Sequence, residues 1–247
     1  MKYLNFFKQH IDKYRIKRML DSHHIRNYTI NDDLTVDLNG PSYTFYDFIP
    51  VKLNRVSGDI HYMSEKVRNK RGDVGGSTLQ YAPVRVDGNF ICSGNPMKNL
   101  LGAPSYVGGS FICDDCDLET LEGAPDHVGR DFSARSNRLT NMTGGPKLVG
   151  GRIDLTYNHS FVSLEGFPED YMFKQGNFTC WEAPFHDIFR VYYFDEFIHW
   201  LIEYDAIQGN EIIVDRFNMA LGEFGAKIEN IPNGCIEKIK KNYKFIY

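Results

Sequence analysis

The amino-acid sequence predicts an α+β solenoid: short coils stacked on a parallel β-sheet, with a helix and hairpin before them and helices after them. Three observations predict it. The central stretch repeats itself every 21 residues. Its apolar residues fall in fixed columns of that repeat. Helical periodicity, missing from the repeats, is found on both flanks. Self-similarity at roughly 20–50 residues marks stacked units, each unable to bury its apolar face alone.

The first element is a helix. Residues 3–20 place Leu4, Phe7, Ile11, Tyr14 and Ile16 or Met19 at helical spacing, with Lys and Arg elsewhere, which predicts an amphipathic helix. NYTI and LTVDL then alternate apolar and polar residues around Asn31–Asp33, a hairpin signal expected to supply the first strands of the sheet. Helix and hairpin make an N-terminal cap over residues 1–47.

The repeats follow over residues 48–188. Successive lines begin at Val86, Val107, Val128 and Val149, with weaker ones at Val56 and Lys174, about six in all. One column reads Ile60, Phe90, Phe111, Phe132, Ile153, Phe178. Two residues later come Tyr62, Cys92, Cys113, Ala134, Leu155, Cys180, and a polar column holds Asn95, Cys116, Asn137 and Asn158. Side chains alternate along a strand, so Phe111 and Cys113 point inward and Ile112 outward. The Asn column sits where the chain leaves the strand, and its amide serves backbone groups otherwise unsatisfied. A thiol is a weaker donor for the same slot. After the repeats, Phe194, Phe197, Ile198, Leu201 and Ile202 predict a helix, Val214, Phe217 and Leu221 a second, Ile236 and Ile239 a third. They make a C-terminal helical cap over residues 189–247.

The columns spell L-x-L-x-x-N/C-x-L, which resembles the leucine-rich repeat. The GAP-like segments at Pro83, Pro104, Pro125, Pro146 and Pro168 resemble its short bacterial type. That resemblance implies one parallel sheet on a concave side and an extended convex side. The step GAP-x-x-V-G-G-x-F resembles leucine-rich repeat proteins encoded by tailed bacteriophages. It implies a host protein as partner, such as an enzyme or defence component that is inhibited or redirected, and the host cytoplasm as location. Cys113-Asp114-Asp115 echoes the Cys-x-Asp motif of leucine-rich ubiquitin ligases secreted by bacteria, but those carry the cysteine in a separate helical domain that 247 residues leave no room for.

Composition narrows the function classes. The formal charge is −4, the wrong sign for coating nucleic acid. No apolar run reaches the ~18 residues of a membrane span, and the charged N-terminus does not read as a signal peptide. Five cysteines, an odd number, read as free thiols of a cytoplasmic protein. Cys113 and Cys116 lack the second Cys or His pair of a zinc site, so no metal and no cofactor are expected. No nucleophile–base–acid set stands at motif spacing, so no catalytic residue is named. The pair His199 and Glu203 leaves enzyme activity in the C-terminal helices as an alternative.

The repeat's outward positions are the candidate site. His61, Ile91, Ile112, Asp114, Asp115, Arg135, Arg152, Asp154, Tyr157, Trp181 and Glu182 flank the strands. They mix aromatic and aliphatic anchors with both signs of charge, a composition suited to a protein partner. The chain thus reads as a non-catalytic interaction module, with a homo-oligomer open. A basic, Gly-rich insertion at 68–76 offers Arg68, Lys70 and Arg71 as a contact loop. It lacks the Gly-Lys-Ser/Thr of a phosphate loop. With the tail Lys238–Tyr247, it keeps nucleic-acid binding as an alternative.

Overall fold

The computed structural model describes residues 2–46, 49–63, 79–168, 171, 177–189 and 195–247. Helix α1 spans Lys2–Ser22. Short strands follow: β1 Tyr28–Ile30, β2 Val36–Leu38, β3 Ser42–Phe45, β4 Leu53–Val56, β5 Asp59–Tyr62, β6 Arg85–Val86, β7 Phe90–Ile91, β8 Tyr106–Val107, β9 Phe111–Ile112, β10 His127–Val128, β11 Phe132–Ser133, β12 Leu148–Val149, β13 Ile153–Asp154 and β14 Phe178–Thr179. The C-terminal segment holds α2 Pro184–Phe189, α3 Asp195–Glu203, β15 Ile207–Gln208, β16 Glu211–Ile213, α4 Val214–Gly222, α5 Asn233–Ile239 and β17 Lys244–Ile246.

The repeats form a parallel β-solenoid with two sheets instead of the expected one. Sheet A runs β1-β2-β4-β6-β8-β10-β12, and sheet B runs β14-β13-β11-β9-β7-β5-β3. Neighbours in both pair in parallel except β1, which lies antiparallel on β2 as the hairpin signal implied. The valine at each line start is itself a strand residue: Val56, Val86, Val107 and Val128 are fully buried in sheet A. A short glycine-rich corner then carries the chain to the phenylalanine in sheet B. The strands β2 and β3 already make one coil within residues 36–45, ahead of the repeat seen in the sequence.

Three ladders hold one coil on the next. In the core, Phe90 stacks on Phe111 at 5.4 Å and Phe111 on Phe132 at 5.9 Å, with rings within 8° of parallel. Burying each ring is worth about 2–3 kcal/mol. Behind the strands, Asn137 Nδ2 donates to the carbonyl of Cys113, and its Oδ1 accepts from the N–H of Cys116 and Leu118 in the preceding coil. Asn158 repeats the arrangement with Ala134 and Leu139. Cys116 fills the same slot, its thiol donating to the carbonyl of Cys92 at 3.2 Å. Each such buried group left unsatisfied costs about 1–3 kcal/mol.

The third ladder runs past one glycine of each corner. Asp59 Oδ1 accepts from Asn89 N, Asn89 Oδ1 from Ser110 N, Ser110 Oγ from Asp131 N, and Asp131 Oδ1 from Arg152 N. A Cβ on Gly88, Gly109 or Gly151 would lie 2.4 Å from the accepting oxygen of Asp59, Asn89 or Asp131. Where the acceptor is the shorter Ser110, the following coil carries Arg130 in place of glycine.

Outside the solenoid, the predicted helices are present, although Phe194 lies outside the described residues, and the buried core is continuous from Leu20 to Tyr243. Two details differ. Tyr14, expected on the apolar face of α1, is 60% exposed, and Leu20 is buried instead. Strands β15, β16 and β17 form a small sheet among the C-terminal helices. In it the tail is ordered: Tyr243 is buried and its hydroxyl donates to Val162 O at 2.7 Å, while the lysines around it are exposed.

Replacing Gly151 by Ala is expected to cost about 1–3 kcal/mol in denaturant unfolding, because the new Cβ meets the Asp131 carboxylate. Adding Asp131→Ser should recover part of that loss. An unchanged stability for Gly151→Ala refutes the ladder as the reason for glycine.

Candidate interaction surface

Sheet B presents its outward residues in strict register. His61, Ile91, Ile112, Ser133, Asp154 and Thr179 stand side by side, one per coil. At about 4.8 Å per step this row spans about 24 Å. His61 is exposed, and Ile91 and Ile112 are half-buried neighbours forming an apolar strip. The face is one of two outer faces around a shared core, so the concave–convex division expected from one sheet does not describe it.

The charged residues divide into fixed and free-standing. Asp114 is half-buried, and its Oδ1 accepts from Arg135 N at 2.9 Å and Ser133 Oγ at 2.6 Å. Asp154 is half-buried, accepts from Thr156 N and meets Arg152 Nη2 at 3.2 Å. Arg152 also donates to Thr179 Oγ1 at 2.9 Å, which lays its side chain across the next coil. These groups shape the face. Asp115, Arg135, Tyr157, Trp181 and Glu182 are exposed. Arg68, Lys70 and Arg71 lie outside the described residues.

Asp115, Tyr157 and Glu182 do not sit on strands. With Gly94 and Ser136 they form a corner column in which every residue has left-handed backbone, φ from +53° to +73°. Gly takes this conformation freely, and Asp or Asn with little difficulty; a bulky side chain there is strained by about 1–2 kcal/mol. Tyr157 at φ +63° is therefore an outlier, and it is 45% exposed. Next to it Trp181 is 55% exposed and packs on the His186 ring at 4.5 Å. Tyr157 N donates to Trp181 O, and His159 Nδ1 lies 3.2 Å from Glu182 O. Two aromatics are thus held at the C-terminal end of the face on a rigid corner.

Two further features escape a reading of the sequence. The corner ahead of the sheet A strands repeats the device: Gly102, Gly123 and Gly144, before β8, β10 and β12, are left-handed, as is Gly166 after them, and the turn before β6 puts Tyr81 there at φ +69°, 47% exposed. On the outward row of sheet A, Arg55, Arg85, Tyr106, His127 and Leu148 are in register. Arg85 lies 3.8 Å over the Tyr106 ring, and Tyr106 stacks on His127 at 4.5 Å. Partial burial pushes the Asp87 carboxyl up, but the bonds from Arg55 and Arg85 outweigh it and hold it below the usual carboxylate range. A lowered value means this ion-pair stabilisation is present above the ordinary carboxylate pKa and fades as pH falls through the lowered one. Each residue of this row precedes a line-start valine by one, a signal visible only once that valine is known to be a strand.

No protein-family model matches the chain, and no curated protein or solved structure matches it either. The reading of the surface rests on its own chemistry.

The cysteines are repeat interior. Cys92, Cys113, Cys116 and Cys180 are buried, and Cys235 is partly exposed. A hydrogen bond with Cys116 and full burial push the Cys92 thiol up, and burial raises Cys113 and Cys180. The same bond with Cys92 draws Cys116 down, but reaction needs access as well as a thiolate. Native protein should therefore give up one thiol, Cys235, to an aromatic disulfide reagent, and all five after denaturation. Fast reaction at Cys113 or Cys116 in folded protein contradicts this assignment.

Proposed function

We propose that this chain is a non-catalytic interaction protein that binds a protein partner across the outer face of sheet B. Tyr157 carries the reading. It is an exposed aromatic kept in a left-handed corner where the other coils place Gly94, Asp115, Ser136 and Glu182. Strain of this kind persists where a side chain serves something other than the fold. Tyr and Trp are the residues that anchor interfaces. Trp181 and the apolar pair Ile91 and Ile112 extend the contact, while Arg135, Asp115 and Glu182 set partner choice through charge. The host protein as partner, blocked or redirected by occupation of a surface, is part of the same proposal and rests on the resemblance of the repeat motif to short bacterial and phage-encoded leucine-rich repeats.

Tyr157→Asn separates function from fold. Asn tolerates the left-handed corner, so the variant should melt about 1–3 °C higher than the parent. Its affinity for a partner recovered by affinity purification from the host cell should fall about 30-fold or more, as should that of Trp181→Ala. Retained affinity in both variants removes sheet B's outer face as the contact surface.

A further inference from the structure

A cavity of about 520 Å³ lies where the last regular coil meets the C-terminal segment. The volume is within the range of small-molecule sites. One wall is the turn Ser163–Pro168 with Tyr171, and the other is α3 and the loop into β15. Leu164, Phe167, Leu201 and Ile207 give it an apolar interior. Phe167 is fixed edge-on against Phe178 at 5.2 Å, and Tyr171 bonds the backbone of Gly151 and Asn177. Both walls are thus tied to the solenoid core or the C-terminal sheet.

The polar lining is mostly acidic. Glu165, Glu203 and Asp205 contribute carboxylates at the exposed rim beside His199, Ser163 and Gln208, and no Lys or Arg is among the described lining residues. Arg216, a nearby cation, is taken by Asp205 at 2.7 Å and by Asp205 O. An anion entering here would meet like charge. A neutral apolar molecule would fill the interior and leave the carboxylates at its edge without use. A cation with an apolar body satisfies both.

We propose that this cavity binds a small organic amine, with one or two rings against Leu164, Phe167 and Ile207 and its ammonium between Glu165 and Glu203. Occupancy bridges the coil and the C-terminal segment, so the ligand stabilises the junction of the two. The site is separate from the outer face of sheet B and stands whether or not that face binds a protein.

Tryptamine and indole-3-propionate have nearly the same shape and opposite charge, and serve as probes. Calorimetric titration of the full chain should show saturable 1:1 binding of tryptamine and a raised melting temperature, with no binding of indole-3-propionate. The double variant Glu165→Gln, Glu203→Gln should weaken tryptamine at least tenfold with the circular dichroism spectrum unchanged. The wild-type comparison of the two probes does not depend on how the variant folds. Absent or non-saturable tryptamine binding, equal binding of both probes, or full affinity in a folded double variant overturns the proposal.

Discussion

Backbone stacked on backbone in register, at about 4.8 Å per coil, is the constraint on which the rest of this structure depends. Two-residue strands have almost no stability alone. What makes them persist is that each coil completes its neighbour three times: a buried apolar side chain on its counterpart, phenyl on phenyl from Phe90 to Phe132, a side-chain amide or thiol on backbone groups that leave the strand, and a carboxyl, amide or hydroxyl oxygen on the next corner's N–H. The spacing leaves no slack. At the corners even a Cβ is too much wherever the accepting side chain is Asp or Asn. The outward rows inherit this rigidity, which is why the side chains from His61 to Thr179 on sheet B stand in a straight line across six strands.

The solenoid is legible in the sequence because a column of Phe90, Phe111 and Phe132 at constant spacing arises in few folds besides stacked coils. The polar slot was equally readable: Asn95, Cys116, Asn137 and Asn158 share one position, and all four are buried and bonded there. The second sheet was not readable. A strand of two residues is too short to show alternation, and Val-Gly-Gly reads as a turn. The coil in residues 36–45 was hidden for a related reason, since its corner reads Asn39-Gly40-Pro41-Ser42 in place of the Val-Gly-Gly-x-Phe step of the later ones. Strand β17 pairs with β16 across 30 residues of intervening chain, and nothing local announces such a pairing.

The candidate site was half visible. Outward positions follow from alternation, so His61, Ile91 and Ile112 were placed correctly on one face. Alternation fails at the corner. Thr156, which it would put outside, is buried, and Tyr157 is exposed because the backbone turns left-handed there. Whether a charge is available to a partner was beyond the sequence altogether. Asp114 and Asp115 are adjacent and chemically identical, yet one is consumed by Ser133 and Arg135 and the other stands in solvent.

The pairing of Ser110 with Arg130 reaches past its own corner. Repeats in a solenoid are usually thought of as interchangeable modules, but here each coil is written for the one before it. Moving the Arg130 coil behind Asn89 or Asp131 would drive its Cβ into an oxygen, and a glycine coil behind Ser110 would surrender a side chain for no steric reason. The order of the coils is thus part of the information the chain carries, and shuffled or duplicated versions of this array inherit mismatched seams.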